Sequence, residues 1–432
     1  MMDEHDEEVE VPQYFVCPIS LQIMKDPVTA ATGITYDRCS IERWLKAAEA
    51  VCPVTKQPLP NDQLTPNHTL RRLIQAWCVA NGAQRIPTPK PVLCRAHLSK
   101  ILRGVTVTHL QSPSSSLDQL LSLVSTGKEQ DLKLMADCGV AQAMVGFIIK
   151  CYNQRDAMFV DQAFRILTPI WILSSSKDDI MVACNSVDID LFFDAIAWVL
   201  LGNDVQRRSL AVNLLREMVK LAPSTSTSAL FERLKPDFFK GLAAVLVVVD
   251  DVDSNGNGNI NSNAKAAIRV LVEVCKHGRN KYKIIEANTI FHLIELEFGL
   301  GLAQPEKNKR ISELVFCLLA QLCSCADGRA QLVAHSGAIA VLSKRMLRVS
   351  AMVDDRAIHI LGLLCKYSAT YEVLHEMLKV GAVSKMCMVL QTDCGKYLKD
   401  KIREMLRMHS YVWNNSPCIQ LYLLTRYPML QF

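Results

Sequence analysis

No two cysteines in this chain stand in a Cys-x-x-Cys pair, although cysteine occurs 16 times. They are scattered through apolar runs such as Phe316-Cys317 and Leu364-Cys365, where a free thiol behaves as a small buried hydrophobe. A disulfide framework belongs to short secreted chains with a signal peptide, and the beginning here, Asp3-Glu4-His5-Asp6-Glu7-Glu8, is acidic and unlike one. Aromatic residues are few, at 6%, while Leu, Val, Ile and Ala are plentiful, a balance that favours packed helices over a β-sandwich. The net charge of +5 is too small for a global nucleic-acid field. The longest apolar run, Gly241 to Val249, is too short to span a bilayer. A reducing compartment is the expectation: cytoplasmic, with nuclear or peripheral-membrane placement as the alternatives. The sequon at Asn67-His68-Thr69 then has no bearing.

With half of its 432 residues apolar, the chain is long enough for two or three folded domains. Residues 1–10 read as an acidic, disordered tail. From Val11 the pattern becomes dense. Pro27 to Ala30 and Ile34 to Tyr36 read as a small hairpin around Ala31-Thr32-Gly33. Asp37 stands where it can cap the next helix, whose apolar face is Ile41, Trp44, Leu45 and Ala48. A second loop runs from Cys52-Pro53 to Leu64. Asn67 is the expected N-cap of a further helix with the stripe Leu70, Leu73, Ile74 and Trp77.

A RING finger would place cysteines where this chain has Ser20 and Thr55. The remaining Cys17, Cys39 and Cys52 do not have the spacing of a four-ligand zinc site, so no metal and no cofactor is expected. The two loops then need hydrogen bonds, ion pairs and packing in place of metal. Ser20, Lys25, Asp26, Asp37, Arg38, Glu42 and Thr55 are the polar candidates.

Cys-Pro-Ile, Asp-Pro-Val, Gly-Ile-Thr-Tyr-Asp-Arg, Ile-Glu-x-Trp-Leu, Cys-Pro-Val-Thr and Pro-Asn-x-x-Leu-Arg-x-Leu-Ile follow one another over Val11 to Ala83. This stretch resembles the U-box, the zinc-free relative of the RING finger found in E3 ubiquitin ligases, and a U-box domain is expected over 11–84. The resemblance implies a shallow groove for a ubiquitin-conjugating enzyme, an E2. By position, Ile19, Leu21, Trp44 and Pro53 would touch it. Lys56 lies where some relatives place a basic residue contacting both E2 and ubiquitin. An exposed Ile, Leu, Trp and Pro on one small module form an apolar patch that needs a partner, and aromatic anchors are typical of hot spots. No nucleophile has a paired base, so the expected mechanism has no catalytic residue that carries ubiquitin covalently. The E2 thioester would instead be held in a reactive geometry.

Pro87, Pro89 and Pro91 mark a linker over 85–116 that includes a short helix from Cys94 to Leu102 and a Ser/Pro turn at Ser112 to Ser116. Beyond Leu117 the periodicity is helical and the sequence repeats. Val270 to Cys275, Leu318 to Cys323 and Ile360 to Cys365 align. Each is followed by a second pattern in phase: Ile284 to Asn288, Leu332 to Gly337 and Met377 to Gly381. Earlier echoes are Leu134 to Gly139 and Ile180 to Asn185. A helical period in the forties belongs to the armadillo/HEAT class. The expected fold is mostly α: a small α+β U-box followed by an α-solenoid of armadillo repeats over 117–432, with a flexible insertion near 250–263. That insertion begins like an EF-hand loop but has Ser262 at the bidentate position. Lys307, Lys309 and Arg310 read as a solvated face. A last helix carries Leu398, Ile402, Met405, Leu406 and His409, and Trp413-Asn414-Asn415-Ser416-Pro417-Cys418 ends the array.

The whole resembles the plant U-box/armadillo E3 ubiquitin-protein ligases. The implied partners are a ubiquitin-charged E2, ubiquitin, and a protein substrate on the armadillo groove, with no nucleic acid and no transmembrane segment. A homodimer through the U-box and a role in plant stress or defence signalling belong to the same expectation. The alternative is a non-catalytic armadillo scaffold with an inactive U-box. A nuclear transport receptor is disfavoured, because the fourth residues after Trp171 and Trp198 are Ser175 and Gly202 rather than Asn. Elemental analysis of the purified chain is expected to find far less than one zinc per molecule, and a stoichiometric content would overturn the metal-free reading.

Overall fold

Short β-prone pieces with turn residues between them build the first body. In the computed structural model, Pro27–Thr29 (β1) and Thr35–Asp37 (β2) pair antiparallel, with Val28 opposite Tyr36. Gly33 closes the turn at a φ of 79°, a left-handed value that costs glycine nothing. Thr65–Pro66 (β3) lies on the other side of β1, giving the order β2-β1-β3. Two helices complete the body, Arg38–Ala47 (α1) and His68–Ala80 (α2). Asn67 caps α2 as expected, its Oδ1 accepting from Leu70 N at 3.0 Å. The core gathers Phe15, Cys17, Met24, Val28, Tyr36, Ile41, Cys52, Leu59, Ile74 and Cys78. Leu73, expected in the apolar stripe of α2, is 55% exposed. At 100° per residue the buried line runs through Ile74 and Cys78, and Leu73 falls to its side.

The structure describes residues 11–47, 51–59, 64–80, 95–106, 114–173, 189–220, 230–247, 259–300, 305–414, 416–417 and 419–421. The chain divides into two units, 1–93 and 94–432. The acidic tail, the prolines 87–91, the echo at 180–185 and most of the expected insertion lie outside the described residues.

The second unit is helical. It begins with Arg95–Thr106 (α3), where Leu98, Ile101 and Val105 are buried. This helix packs on Ser114–Ser125 (α4) and on Val140–Gln154 (α6), so it is part of the array rather than of a linker. Ser114 to Ser116, read as a turn, are the first turn of α4. Glu129–Asp137 (α5) and Val160–Leu173 (α7) complete the first full triplet with α6. Ile189–Leu201 (α8), Val205–Lys220 (α9) and Pro236–Leu246 (α10) follow. Asn259–Val274 (α11), Asn280–Glu286 (α12) and Thr289–Gly299 (α13) come next. Residues 259–263, assigned to the insertion, thus open α11, where Asn263 Oδ1 accepts from Ser209 Oγ at 2.8 Å. The array continues with Pro305–Leu322 (α14), Ala326–Ala334 (α15), Ala338–Arg345 (α16) and Ala351–Tyr367 (α17). It ends with Tyr371–Lys379 (α18), Ala382–Gln391 (α19), Lys396–Met408 (α20) and Ser410–Trp413 (α21).

Stacking follows the repeat. The long helices α7, α9, α11, α14, α17 and α20 form one layer, each packed on the next. A second layer is α6, α8, α10, α13, α16 and α19. The aligned stretches occupy equivalent places: Leu271 and Cys275 on and just after α11, Leu319 and Cys323 on and just after α14, and Leu361 and Cys365 on α17 are all buried. The turn between a unit's first and second helices is left-handed at Gly139, Asn288 and Gly381. Gly337 departs from this with a φ of −95°, and a Cβ there would meet the Phe298 ring. No single helix among the described residues is long and apolar enough to cross a membrane.

The end motif closes the stack. Trp413 is 1% exposed, its ring lies 5.5 Å from that of His409, and His409 Nε2 is 2.8 Å from Cys365 O. Trp413→Ala is expected to cost about 3–5 kcal/mol of local stability, the usual range for a buried Trp or Phe truncation. Amide hydrogen exchange through α20 and α21 should rise accordingly, and unchanged exchange would show that the indole does not hold this end.

Candidate functional site

The hexapeptides Cys17-Pro18-Ile19-Ser20-Leu21-Gln22 and Cys52-Pro53-Val54-Thr55-Lys56-Gln57 fold into the same loop. Cys17 N donates to Gln22 O at 2.8 Å and Leu21 N to Cys17 O at 2.9 Å. Cys52 N donates to Gln57 O at 2.8 Å and Lys56 N to Cys52 O at 3.0 Å. A single antiparallel bridge closes each loop, Val16 to Ile23 and Val51 to Pro58. The fifth residue of each is left-handed, Leu21 at a φ of 54° and Lys56 at 59°. Non-glycine residues pay strain there, so surrounding bonds must hold them.

Those bonds converge on the two sulfurs. Cys17 Sγ accepts from Asp37 N at 3.2 Å and from the Ser20 hydroxyl. Cys52 Sγ accepts from Thr32 Oγ1 at 3.3 Å and Thr55 N at 3.4 Å, and lies 3.0 Å from Tyr36 Oη. Tyr36 and Asp37 are consecutive residues of β2, so one short strand reaches both loops. Asp37 Oδ1 also accepts from Lys25 N at 2.9 Å and Asp26 N at 2.8 Å. Asp26 in turn binds Arg38 Nε at 2.7 Å and lies 3.7 Å from Arg71 Nη1. Arg38 Nη1 is 3.7 Å from Glu42 Oε1, a half-exposed pair of small worth.

The seven polar candidates are therefore in two groups. Lys25, Asp26, Asp37, Arg38 and Glu42 form one connected set, with Lys25 entering through its backbone. Ser20 and Thr55 each serve the cysteine three residues before them. Sequence reasoning missed the acceptor role of Cys17 and Cys52, the donors Thr32 and Tyr36, and the cation Arg71. The parallel Cys-Pro-(Ile/Val)-(Ser/Thr)-x-Gln hexapeptides were the available signal. Among the described residues no group of three or more His, Cys, Asp or Glu could hold a metal ion.

The expected contact residues divide by exposure. Leu21 is 78% exposed. Pro53 is half-buried and Lys56 exposed. Ile19 and Trp44 are half-buried and pack against the core, and Trp44 Nε1 donates to Val51 O at 3.0 Å. Lys56 Nζ lies 6.0 Å from the centre of the Trp44 ring. Val54, not among the expected residues, is 50% exposed. The loop tips thus offer apolar surface, with the half-buried Trp44 of α1 beside the second loop and the Lys56 cation over its indole.

Burial raises the Cys52 thiol's pKa, but hydrogen bonds from Thr32, Thr55 and Tyr36 outweigh it and hold the pKa down at about 6. Cys17 is lowered in the same way, burial opposing donors from Asp37, Ser20 and Ile19. Burial, and then the neighbouring Cys52, push the Tyr36 phenol up. The hydrogen bond and charge of Asp26 raise Arg38, against its own burial.

A RING-like brace held by hydrogen bonds, with two matched loops beside a helix and a separate stack of three-helix units, defines the class of armadillo-bearing U-box proteins. The U-box domain family matches residues 11–83, and the family described as the plant U-box protein ARM repeat region matches 97–429. The chain is 37% identical to the E3 ubiquitin-protein ligase PUB24 of Arabidopsis thaliana, the match covering 98% of each protein. It is 37% identical to PUB23 over the same shares, and 33% identical to PUB22 over 98% of this chain and all of that one. The chain belongs to the plant U-box/armadillo-repeat family of E3 ubiquitin-protein ligases.

The depressed Cys52 pKa has a consequence for stability. A folded value of about 6 lies below the ordinary thiol value of roughly 8.5, so the folded state favours the thiolate. The resulting stabilisation is fully present above the unfolded value and is lost as pH falls through the folded one. The U-box melting temperature is expected to drop between about pH 8 and pH 5.5. Cys52→Ala should remove that component of the pH dependence, and a slope unchanged in the variant would show that other groups carry it.

Proposed function

We propose that the U-box binds an E2 carrying ubiquitin as a thioester and orients that thioester for attack by a lysine of a protein held on the armadillo array. What supports this reading is the exposure of Leu21 and Lys56 and the half-exposure of Pro53 on the two matched loops, with Lys56 over the Trp44 ring. Leu21 supplies the most exposed apolar side chain. Ile19 and Trp44 support the surface from the core as well as border it, and Val54 adds to the second loop. Lys56 stands over Trp44 as a point charge available to both E2 and ubiquitin.

The chemistry is proximity and orientation. Cys17, Cys52 and Cys78 are buried, and the first two use their sulfurs as hydrogen-bond acceptors. Cys39 is exposed, and no described base is hydrogen-bonded to it. Ubiquitin therefore passes directly from the E2 cysteine to the substrate amine, which releases the E2 thiol. The bonded state of both loops favours a working U-box over the scaffold reading.

The described cysteines are unpaired, which fits a cytoplasmic location, with a nuclear or membrane-peripheral pool as alternatives. Degradation of targets in plant stress or defence signalling is part of the same proposal and rests on the family resemblance. Exposed Tyr14, Leu73 and Val79 on the U-box favour self-association through it, for which sedimentation of the full chain is the check.

Self-ubiquitination with E1, an E2 panel, ubiquitin and ATP tests the central claim. Leu21→Ala and Pro53→Ala are each expected to slow chain formation by roughly tenfold or more, as loss of an interface anchor does, with an unchanged melting temperature. Ile19→Ala is less clean, because Ile19 also packs against the core. Wild-type rates from both Leu21→Ala and Pro53→Ala across the panel would remove the loop tips from the E2 site.

A further inference from the structure

The long-helix layer of the array carries a concentration of positive charge that its own packing does not use. Lys265 and Arg269 lie one turn apart on α11. Arg216 is on α9 and Arg310 on α14, the two helices that pack on either side of α11 in the layer. Arg216 has a carboxylate, Glu217, at 2.9 Å, but Lys220 shares that carboxylate at 2.8 Å. Among the described residues, Lys265, Arg269 and Arg310 have no ion-pair partner. Burial first, and then the guanidiniums of Arg269, Arg310 and Arg216, hold the Lys265 ammonium below the usual lysine range.

The layer continues in the same sense. On α17, Arg356 Nε is buried without a partner among the described residues. His359 Nδ1, on the same helix, lies 2.6 Å from Lys401 Nζ of α20. Carboxylates on the same helices are Glu273, one turn beyond Arg269 on α11 and bonded to Lys276 at 2.6 Å, Glu313 on α14, and Asp354 and Asp355 on α17, the last 3.8 Å from Arg356. Like charges on adjacent helices repel, and folding does not require cations at half-exposed positions.

We propose that Arg216, Lys265, Arg269 and Arg310 receive an extended, Asp/Glu-rich segment of the protein to be ubiquitinated. This rests on the ligase reading and gives the substrate a chemical class. Guanidinium forks match carboxylates, and charge-assisted bonds to them are about twice as strong as neutral ones. Lys265 and Arg269 are half-buried between helices, where a narrow chain reaches them and a bilayer does not. Single-stranded nucleic acid would need stacking surfaces. The three helices carry one aromatic residue, Phe316, and it is buried. With neighbouring axes roughly 9 Å apart, the span from α9 to α20 suits about a dozen extended residues.

The test is fluorescence anisotropy with the full chain and a labelled peptide of alternating Asp and Ser, about a dozen residues long. The matching Asn/Ser peptide, an oligo-dT strand and phosphatidylserine vesicles form the other arms. Binding of the Asp/Ser peptide, weakened by salt and absent for Asn/Ser, is expected. Lys265→Ala/Arg269→Ala should weaken it about tenfold or more, as losing two charge-assisted contacts does. Arg310→Gln, at an exposed position that folding does not need, should also weaken it. E2-dependent self-ubiquitination should be unchanged in these variants. Equal peptide affinity in wild type and variants, or tighter binding of oligo-dT or vesicles, would overturn the proposal. Loss of peptide binding alone would leave the ligase reading standing, whereas absence of self-ubiquitination in the wild type would remove the ligase reading itself.

Discussion

Everything at the N-terminal end depends on two buried sulfurs being given hydrogen-bond donors. In a RING finger the corresponding loops are tied through metal. Here Cys17 and Cys52 are the fixed points, and β2 connects them by directing Tyr36 to one and the Asp37 backbone to the other. The left-handed conformations of Leu21 and Lys56 follow, because each loop must turn back within six residues. The exposed tips follow in turn: a loop pinned at its cysteine and closed by its glutamine carbonyl presents Ser20 and Leu21 outward in the first case and Val54 to Lys56 in the second.

The Asp26–Arg38–Arg71 set adds a second attachment. It joins the end of the first loop to α1 and α2, and Asp37 satisfies the two backbone donors at that end. Arg71 shows why this set was only partly visible beforehand. In the sequence it is only the Arg next to Leu70 on an apolar-striped helix, and its partner lies 45 residues earlier in the chain (71 minus 26). Asp37 looked like a helix cap from its neighbours, but its carboxylate accepts from Lys25 N and Asp26 N instead, partners that sequence proximity does not reveal.

In the array, constraint comes from neighbours rather than from any one bond. A three-helix unit cannot bury its apolar faces alone, so each layer is completed by the next unit. That explains the near-identical burial of Cys275, Cys323 and Cys365 despite unequal spacings between units. It also explains α3, which looked like part of a linker but supplies the apolar surface on which α6 rests. Towards the end of the described array, the buried Trp413 packs its ring beside that of His409.

The order of motifs from Cys17 to Ile74, the missing ligand pairs and the helical period in the forties were legible in the sequence alone. They are local or periodic, and they sufficed for the class of each domain. Which side chains face outward was not. Ile19 and Leu21 sit two residues apart in one loop, yet one packs on the core and the other is 78% exposed. Likewise Arg216, Lys265, Arg269 and Arg310 are scattered over 95 positions (310 − 216 + 1) and become one cluster only when three helices stack. Sequence spacing governs local turns and helix faces; exposure and charge proximity are set by what packs alongside, and only the tertiary structure decided those.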